Sequence, residues 1–207
     1  MTTKTHWENV FTDKTDNQKS WFEDYPHTSM KFISDAGLAK DAAIIDVGGG
    51  ESKLVDALLN GGYTNVTVLD ISAKAIERAK ERLGNKASKV HWIVSDITDF
   101  EPPVQFDFWH DRAAFHFLTT EEKIYKYVST AEDAIKRAGY LILGTFSENG
   151  PIKCSGLAIK QYSEASMSAR FEIAFDRIKC IQEDHITPFK TIQNFLFCSF
   201  KRKQLLF

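Results

Sequence analysis

Three consecutive glycines stand where an apolar run ends in an acid: Ala43-Ile44-Ile45-Asp46-Val47-Gly48-Gly49-Gly50-Glu51-Ser52. One helix's length further on, Thr67-Val68-Leu69 ends in a second acid, Asp70. Glycines at a strand-to-helix junction let the backbone turn tightly and let a ligand approach with no side chain between them. A carboxylate at the tip of the next strand is placed to accept hydrogen bonds from ribose hydroxyls. The pair points to a βαβ unit that holds a nucleotide-like ligand.

The other apolar runs repeat that unit. Residues 43–47 read as a strand that is apolar apart from its acid, as expected when helices cover both faces of a parallel sheet. The helix after it carries Leu54, Val55, Leu58 and Leu59 on one stripe and stops at Gly61-Gly62. Residues 66–69 form the second strand. Ser72 caps a helix with Ile76, Ala79 and Leu83 inward, and Gly84 ends it. Strands follow over 90–94 and 106–109, with Pro102-Pro103 leaving room only for a brief helix between them. Thr119-Thr120-Glu121-Glu122 reads as a capping box. It opens the longest helix, with Ile124, Tyr127, Val128, Ala131, Ile135 and Ala138 on one face; Gly139 then releases a fifth strand over 140–146. A helix over 163–171 precedes two strands, 178–186 and 195–201, whose connection near Pro188 suits an antiparallel return. The pattern predicts an α/β fold, a Rossmann-like doubly wound sheet of seven strands with an antiparallel last strand. A single domain over 1–207 is expected, with 1–40 as a helical or lid segment and 41–207 as the cofactor-binding core.

With 43% apolar and 26% charged residues the chain is globular rather than disordered, and its 16 phenylalanines predict an aromatic-rich core or pocket. A net charge of −2 disfavours a nucleic-acid partner. Cys154, Cys180 and Cys198 are widely spaced with no CxxC pair, which predicts a reducing compartment and no disulfide framework. Residues 1–20 lack the apolar stretch of a signal peptide, and no apolar run has the length to cross a bilayer. A cytoplasmic location and no membrane partner are therefore expected. No histidine–cysteine spacing suggests a zinc site, and no metal is expected.

In such sheets the ligand lies beyond the C-terminal ends of the strands. Asp46 and the glycines follow the first strand, Asp70-Ile71 the second, Asp96-Ile97 the third and Trp109-His110-Asp111 the fourth. The dinucleotide fingerprint GxGxxG is not met, because Lys53 stands at its third glycine position. Three carboxylates around one cleft suit a ligand with positive charge, such as the sulfonium and ammonium of S-adenosylmethionine, better than a pyrophosphate. On these residues the chain resembles the class I S-adenosylmethionine-dependent methyltransferases, from Ile44 to the C-terminus. The likeness rests on Asp46-Val47-Gly48-Gly49-Gly50, on Asp70, on the Ser95-Asp96-Ile97 turn and on the terminal β-hairpin. It implies S-adenosylmethionine as cofactor. Asp46 would hold the methionine end, and Gly48 and Gly50, with Gly49 between them, would let it lie against the backbone. Asp70 would bind the ribose hydroxyls and Ile71 pack on adenine. Asp96 would accept from the adenine amino group with Ile97 beside it, and His110 would touch the cofactor. The family's third glycine is Ser52 here. Each acid also has a plain structural reading: Asp70 as a helix cap, Asp96 as a turn residue, Asp46 as a buried acid bonding the glycine-loop amides.

The run from Trp109 to Phe117 leaves the fourth strand at the mouth where the methyl group would sit, an ionisable cluster among aromatics. Its Trp-x-Asp-Arg-Ala part is similar to the segment at this place in thiopurine-type methyltransferases, which act on small sulfur nucleophiles. An Asp followed by a basic residue here, together with His6-Trp7-Glu8 and Ser20-Trp21-Phe22, is also similar to citrate synthase and elongation-factor lysine methyltransferases. The expected activity is methyl transfer to a small-molecule nucleophile, a thiol or an amine. The alternatives are a protein lysine N-methyltransferase with a protein substrate and, outside the class, a nicotinamide-dependent oxidoreductase. Against the last stand the missing third glycine and the lack of a Tyr-x-x-x-Lys pair. Asp111 and His116 are the candidates for moving a proton, and Arg112 for binding an acidic substrate group. As alternatives, His116 packs between Phe115 and Phe117, and Arg112 pairs with Asp111. Trp21-Phe22 reads either as a lid, which puts Trp21 at the cofactor, or as part of an N-terminal helix on the sheet. Cys154 reads as a buried or surface cysteine rather than a reactive thiol. Oligomeric state is not legible.

Overall fold

A computed structural model describes residues 3–204; residues 1–2 and 205–207, the ends of the expected 1–207 domain, lie outside that range. Two helices come first, α1 (Thr3–Asp13) and α2 (His27–Asp35). Then β1 (Ile44–Val47), α3 (Leu54–Asn60), β2 (Val66–Asp70), α4 (Ala73–Leu83), β3 (Val90–Val94) and β4 (Phe106–Arg112) alternate. They are followed by α5 (Glu121–Ala134) and β5 (Ile135–Phe146). A two-residue hairpin, β6 (Lys153–Cys154) and β7 (Leu157–Ala158), and α6 (Glu164–Phe171) precede the final pair, β8 (Phe175–Ile186) and β9 (Ile192–Arg202).

Seven strands form one sheet in the order β3-β2-β1-β4-β5-β9-β8. The first five in that order are parallel, and β9 runs antiparallel to both of its neighbours, β5 and β8. This is the expected doubly wound sheet with an antiparallel last strand. The order reverses beside β1, between β2 and β4, and there such a sheet opens a crevice at its strand ends.

Each face has its own core. On one side α3 presents Leu54, Val55 and Leu58 to Phe108, Phe146, Phe195 and Phe197. Leu54 and Leu58 have no surface left to water, and each contributes about 1.5–3 kcal/mol by burial. On the other side α5 and α6 pack Tyr127, Met167 and Phe171 against Trp109, Phe115 and Phe175. The phenylalanines are thus mostly core. Ser72 caps α4 as its position predicts, accepting from Ala75 N at 3.2 Å.

Four local expectations change. Helix α5 ends at Ala134 instead of running to Gly139: Ile135 enters the sheet opposite Phe106, and the chain kinks at Ala138, φ 61°, before Tyr140 meets Phe108. Ile135 is buried either way, so apolar spacing could not separate the two. Thr120 is a simple cap, its hydroxyl 3.4 Å from Lys123 N, because the residue at the reciprocal position is Lys123 and not a glutamate. The fourth strand reaches Arg112, which turns His110, Asp111 and Arg112 into strand residues of alternating face. The expectation of no disulfide is overturned. Cys180 on β8 and Cys198 on β9 oppose each other in the ladder, with Cα atoms 4.1 Å apart, and are bonded. Their separation in sequence hides an adjacency that antiparallel register creates. Cys154 stays free. Among the described residues no helix is long and apolar enough to cross a membrane.

Candidate active site

The glycine loop is shaped by what lies beneath it. Gly48 and Gly49 donate to Leu69 O at 2.8 and 3.2 Å, folding the loop onto the end of β2. Gly48 has φ +67°, and a Cβ on it would stand 2.5 Å from Ala114 Cβ. A Cβ on Gly49 would stand 2.5 Å from Asp46 Oδ2, and one on Gly50 2.7 Å from Asp70 Oδ2. The glycines therefore let two carboxylates come directly up to the loop.

Asp46 is buried and receives His110 Nδ1 at 2.7 Å, while His110 Nε2 lies 2.8 Å from Ser29 Oγ on α2. A proton on Nδ1 serves Asp46 and leaves Nε2 to accept from the serine. Asp70 accepts from Ser72 N at 2.8 Å. Burial, with the carboxylates of Asp46 and Glu8 nearby, pushes its acid up to about 7. The Ser72 and Ile71 amides oppose that rise without overcoming it. Asp96 accepts from Thr98 N and Oγ1, both at 2.9 Å.

The N-terminal segment closes over these strand tips. Glu8 on α1 accepts from Ser72 Oγ (2.8 Å), Ala73 N (2.9 Å) and Lys74 N (3.0 Å), capping α4 from outside it. Arg112 donates to Trp21 O and to Glu23 Oε1, each at 2.9 Å, with its guanidinium 4.8 Å from the Phe195 ring centre. Trp7 meets Trp21 and Phe117 edge to face, at 5.9 and 5.0 Å between ring centres.

Beneath this roof lies a cleft of about 930 Å³, partly open to solvent. Of the residues expected at the cofactor, Trp21, Gly48, Asp70, Ile71, Asp96 and Ile97 line it, as does Arg112. A second cleft of about 640 Å³ shares Phe11, Trp21, Gly48 and Arg112 with the first and adds Asp46, Gly49 and His110 to its wall. Gly50 sits against Asp70 and lines neither.

The two residues expected to move protons are turned away. Asp111 is fully buried on the α5 face, accepting from Ala114 N (2.9 Å), Phe115 N (3.1 Å) and Tyr127 OH (2.7 Å). Burial pushes it up to about 6. It holds the turn after β4 instead of facing the cleft, and it does not pair with Arg112, since consecutive strand residues point to opposite faces. His116 packs between Phe117 and Phe146 rather than between Phe115 and Phe117, with Nδ1 accepting from Phe146 N at 3.3 Å. Burial, then the charge of Arg112, pushes it down to about 3, so the ring is neutral. Sequence reasoning missed Ser29, Glu23 and the cap made by Glu8, for which no spacing rule exists. Trp7 and Phe11 stand four apart on α1, and that period was readable.

Residues 44–139 match the family model of a methyltransferase domain. Over that segment, a little under half of the chain, the sequence is similar to that of a methyltransferase domain. The nicotinamide oxidoreductase alternative is set aside by this. Among the relatives of this chain, which spans less than half the length of the first curated proteins it matches, malonyl-[acyl-carrier protein] O-methyltransferase 2 of Ilyobacter polytropus is 24% identical over 107 residues, 51% of this chain and 40% of the relative. EEF1A lysine methyltransferase 2 of Danio rerio is 24% identical over 158 residues, covering 68% of this chain and 67% of its own. The fold is shared with the N-methyltransferase NodS of Bradyrhizobium japonicum, solved in complex with S-adenosyl-l-homocysteine: TM-score 0.71 at 15% identity, over 95% of this chain and 98% of that one. A structure from work on the conversion of a disulfide bond into a thioacetal group during echinomycin biosynthesis superposes with TM-score 0.79 at 17% identity, over 98% and 92%.

Proposed function

We propose that this methyltransferase transfers the methyl group of S-adenosylmethionine to a small-molecule nucleophile, a thiol or an amine. The observation that carries the reading is the convergence of Asp46, Asp70 and Asp96 on two connected clefts around a glycine loop that leaves no side chain in the way. The residues fit that cofactor. Asp70, lining the cleft at the tip of β2, suits the ribose hydroxyls. Ile71, Ile97 and Leu118 offer an apolar slot for adenine, with Asp96 at its edge. Asp46 and the loop amides bound the second cleft, which suits the methionine end. When bound, the cofactor supplies an electrophilic methyl on a sulfonium together with its own leaving group. What this chain contributes is position: holding nucleophile and methyl in line can supply about 7–11 kcal/mol. The roof made by α1 and Trp21 narrows the access of water to that alignment.

The roof also supports a small acceptor over a macromolecular one, since it covers the same strand ends that a protein side chain would have to reach. The eEF1A lysine methyltransferase relative of Danio rerio favours protein lysine as the second reading. Calorimetry with S-adenosylmethionine and its demethylated product tests the cofactor: both bind, and a folded sample giving no heat with either refutes the assignment. Incubation of cell lysate with methyl-labelled cofactor tests the acceptor: label is expected in the low-mass fraction. Label confined to protein lysines would move the assignment to the second reading.

A further inference from the structure

The second cleft holds three side chains bonded in series. Asp46 Oδ1 lies 2.7 Å from His110 Nδ1, and His110 Nε2 lies 2.8 Å from Ser29 Oγ. All three line that cleft, and none is more than 3% exposed. They come from three separate elements: β1, β4 and the first turn of α2. Methyl transfer as derived above leaves Ser29 without a task. We propose that in the cofactor-free protein Ser29 is the nucleophile of a Ser–His–Asp relay that cleaves a small neutral carboxylic ester. This activity does not rest on the methyl-transfer reading. It shares with that reading only the cleft, from which the methionine end of the cofactor would displace the ester.

A serine hydroxyl is a weak nucleophile until a base within hydrogen-bond reach takes its proton and a third group orients that base. Here Asp46 accepts from Nδ1–H of the imidazole, so Nε2 meets the serine with its lone pair. The tilt of helical side chains toward the N-terminus sets the Ser29 hydroxyl over the opening turn of α2. The amides of Thr28 and Ser29 precede the first helical bond there, from Met30 N to Pro26 O. With the positive end of the helix, they are the donors this site offers to the oxyanion that forms when a carbonyl is attacked. The cations Lys19, Lys53 and Arg112 share the wall with Asp16, Glu23 and Glu51, so neither sign prevails. Lys19 is paired with Asp16 and Glu51, and Arg112 with Glu23. Phe11, Trp21 and Leu54 add apolar surface. A neutral ester with short apolar arms suits such a wall. In the step, Ser29 Oγ bonds to the ester carbonyl carbon while its proton passes to His110 Nε2 and the carbonyl π pair moves to oxygen. Return of that pair breaks the bond to the alkoxide, which takes the proton from Nε2 and leaves as the alcohol. Water then attacks the acyl-serine and gives a proton to Nε2. The bond to Oγ breaks, Ser29 recovers that proton, and the carboxylic acid departs.

Hydrolysis of 4-nitrophenyl acetate and capture by phenylmethylsulfonyl fluoride test this on the cofactor-free protein. For the ester, kcat/KM should fall at least about a hundredfold in Ser29→Ala and in His110→Gln. Asp46→Asn should cause a comparable fall, because an amide donating to Nδ1 turns the proton of the ring toward the serine. The sulfonyl fluoride should lose fluoride and leave its sulfonyl group on Ser29 of the wild type, located by peptide mass spectrometry. That readout needs no variant to fold. Ester turnover unchanged in Ser29→Ala, or a sulfonyl group absent from Ser29, would each overturn the relay. Neither result bears on the cofactor calorimetry by which the methyl-transfer reading stands or falls.

Discussion

Asp70→Asn should change how stability depends on pH, and the size of the change follows from the burial of this acid. The Asp70 carboxyl has an ordinary value of 3.8, and in the fold it is pushed up to about 7, mainly by burial and then by Asp46 and Glu8. Between those values the folded chain holds a proton that the unfolded chain has lost. The native state therefore binds more protons, and stability falls as pH rises through that window. Roughly three pH units at 1.36 kcal/mol each give about 4 kcal/mol of stability present at pH 4 and absent by pH 8. Asparagine is neutral throughout and retains an oxygen for Ser72 N. The cofactor-free wild type should thus lose about 4 kcal/mol relative to Asp70→Asn over that range. Urea unfolding of both proteins at four or five pH values measures the difference. The contribution of Asp111, raised to about 6, is common to both and cancels. Saturating cofactor should flatten the wild-type slope, because ribose hydroxyls favour the ionised carboxylate. Parallel pH curves for the two cofactor-free proteins would refute the reasoning.

Other perturbations have equally direct readouts. Gly49→Ala puts a methyl 2.5 Å from Asp46 Oδ2 and 3.1 Å from Val68 Cγ1; an overpacking cost of about 1–3 kcal/mol is expected in thermal unfolding, with cofactor heat reduced. Tyr127→Phe takes one donor from the buried Asp111 carboxylate and should cost about 1–3 kcal/mol in urea unfolding while leaving cofactor affinity unchanged. Reducing Cys180–Cys198, which closes a loop of sequence separation 18, should lower stability by about 3 kcal/mol and lower Tm in a scan with and without reductant.

The glycine loop and the acids after β1, β2 and β3 were legible because strand ends are where such a sheet binds, and a run of apolar residues ending in an acid marks a strand end. The face of a residue just beyond a predicted strand was not legible. Ending β4 at Trp109 left Asp111 and Arg112 as neighbours in a loop; three more strand residues put them on opposite sides of the sheet. The roof was visible only as aromatic residues before β1. Its fastenings, Glu8 on the start of α4 and Arg112 on Trp21 O, join segments far apart in sequence, and nothing in either segment names the other. Cys180 and Cys198 were hidden for the same reason.

The alternation along β4 carries one more implication. His110, Asp111 and Arg112 are pinned in register by Asp46 and Val47 on β1 and by Ile142, Leu143 and Gly144 on β5. A slip by a single position would exchange the anion under the helices for the cation beside the clefts. The sign of charge offered to an incoming molecule is thus written into the ladder of the sheet, where neighbours on both sides guard it, and not into the loops that drift most freely as sequences change.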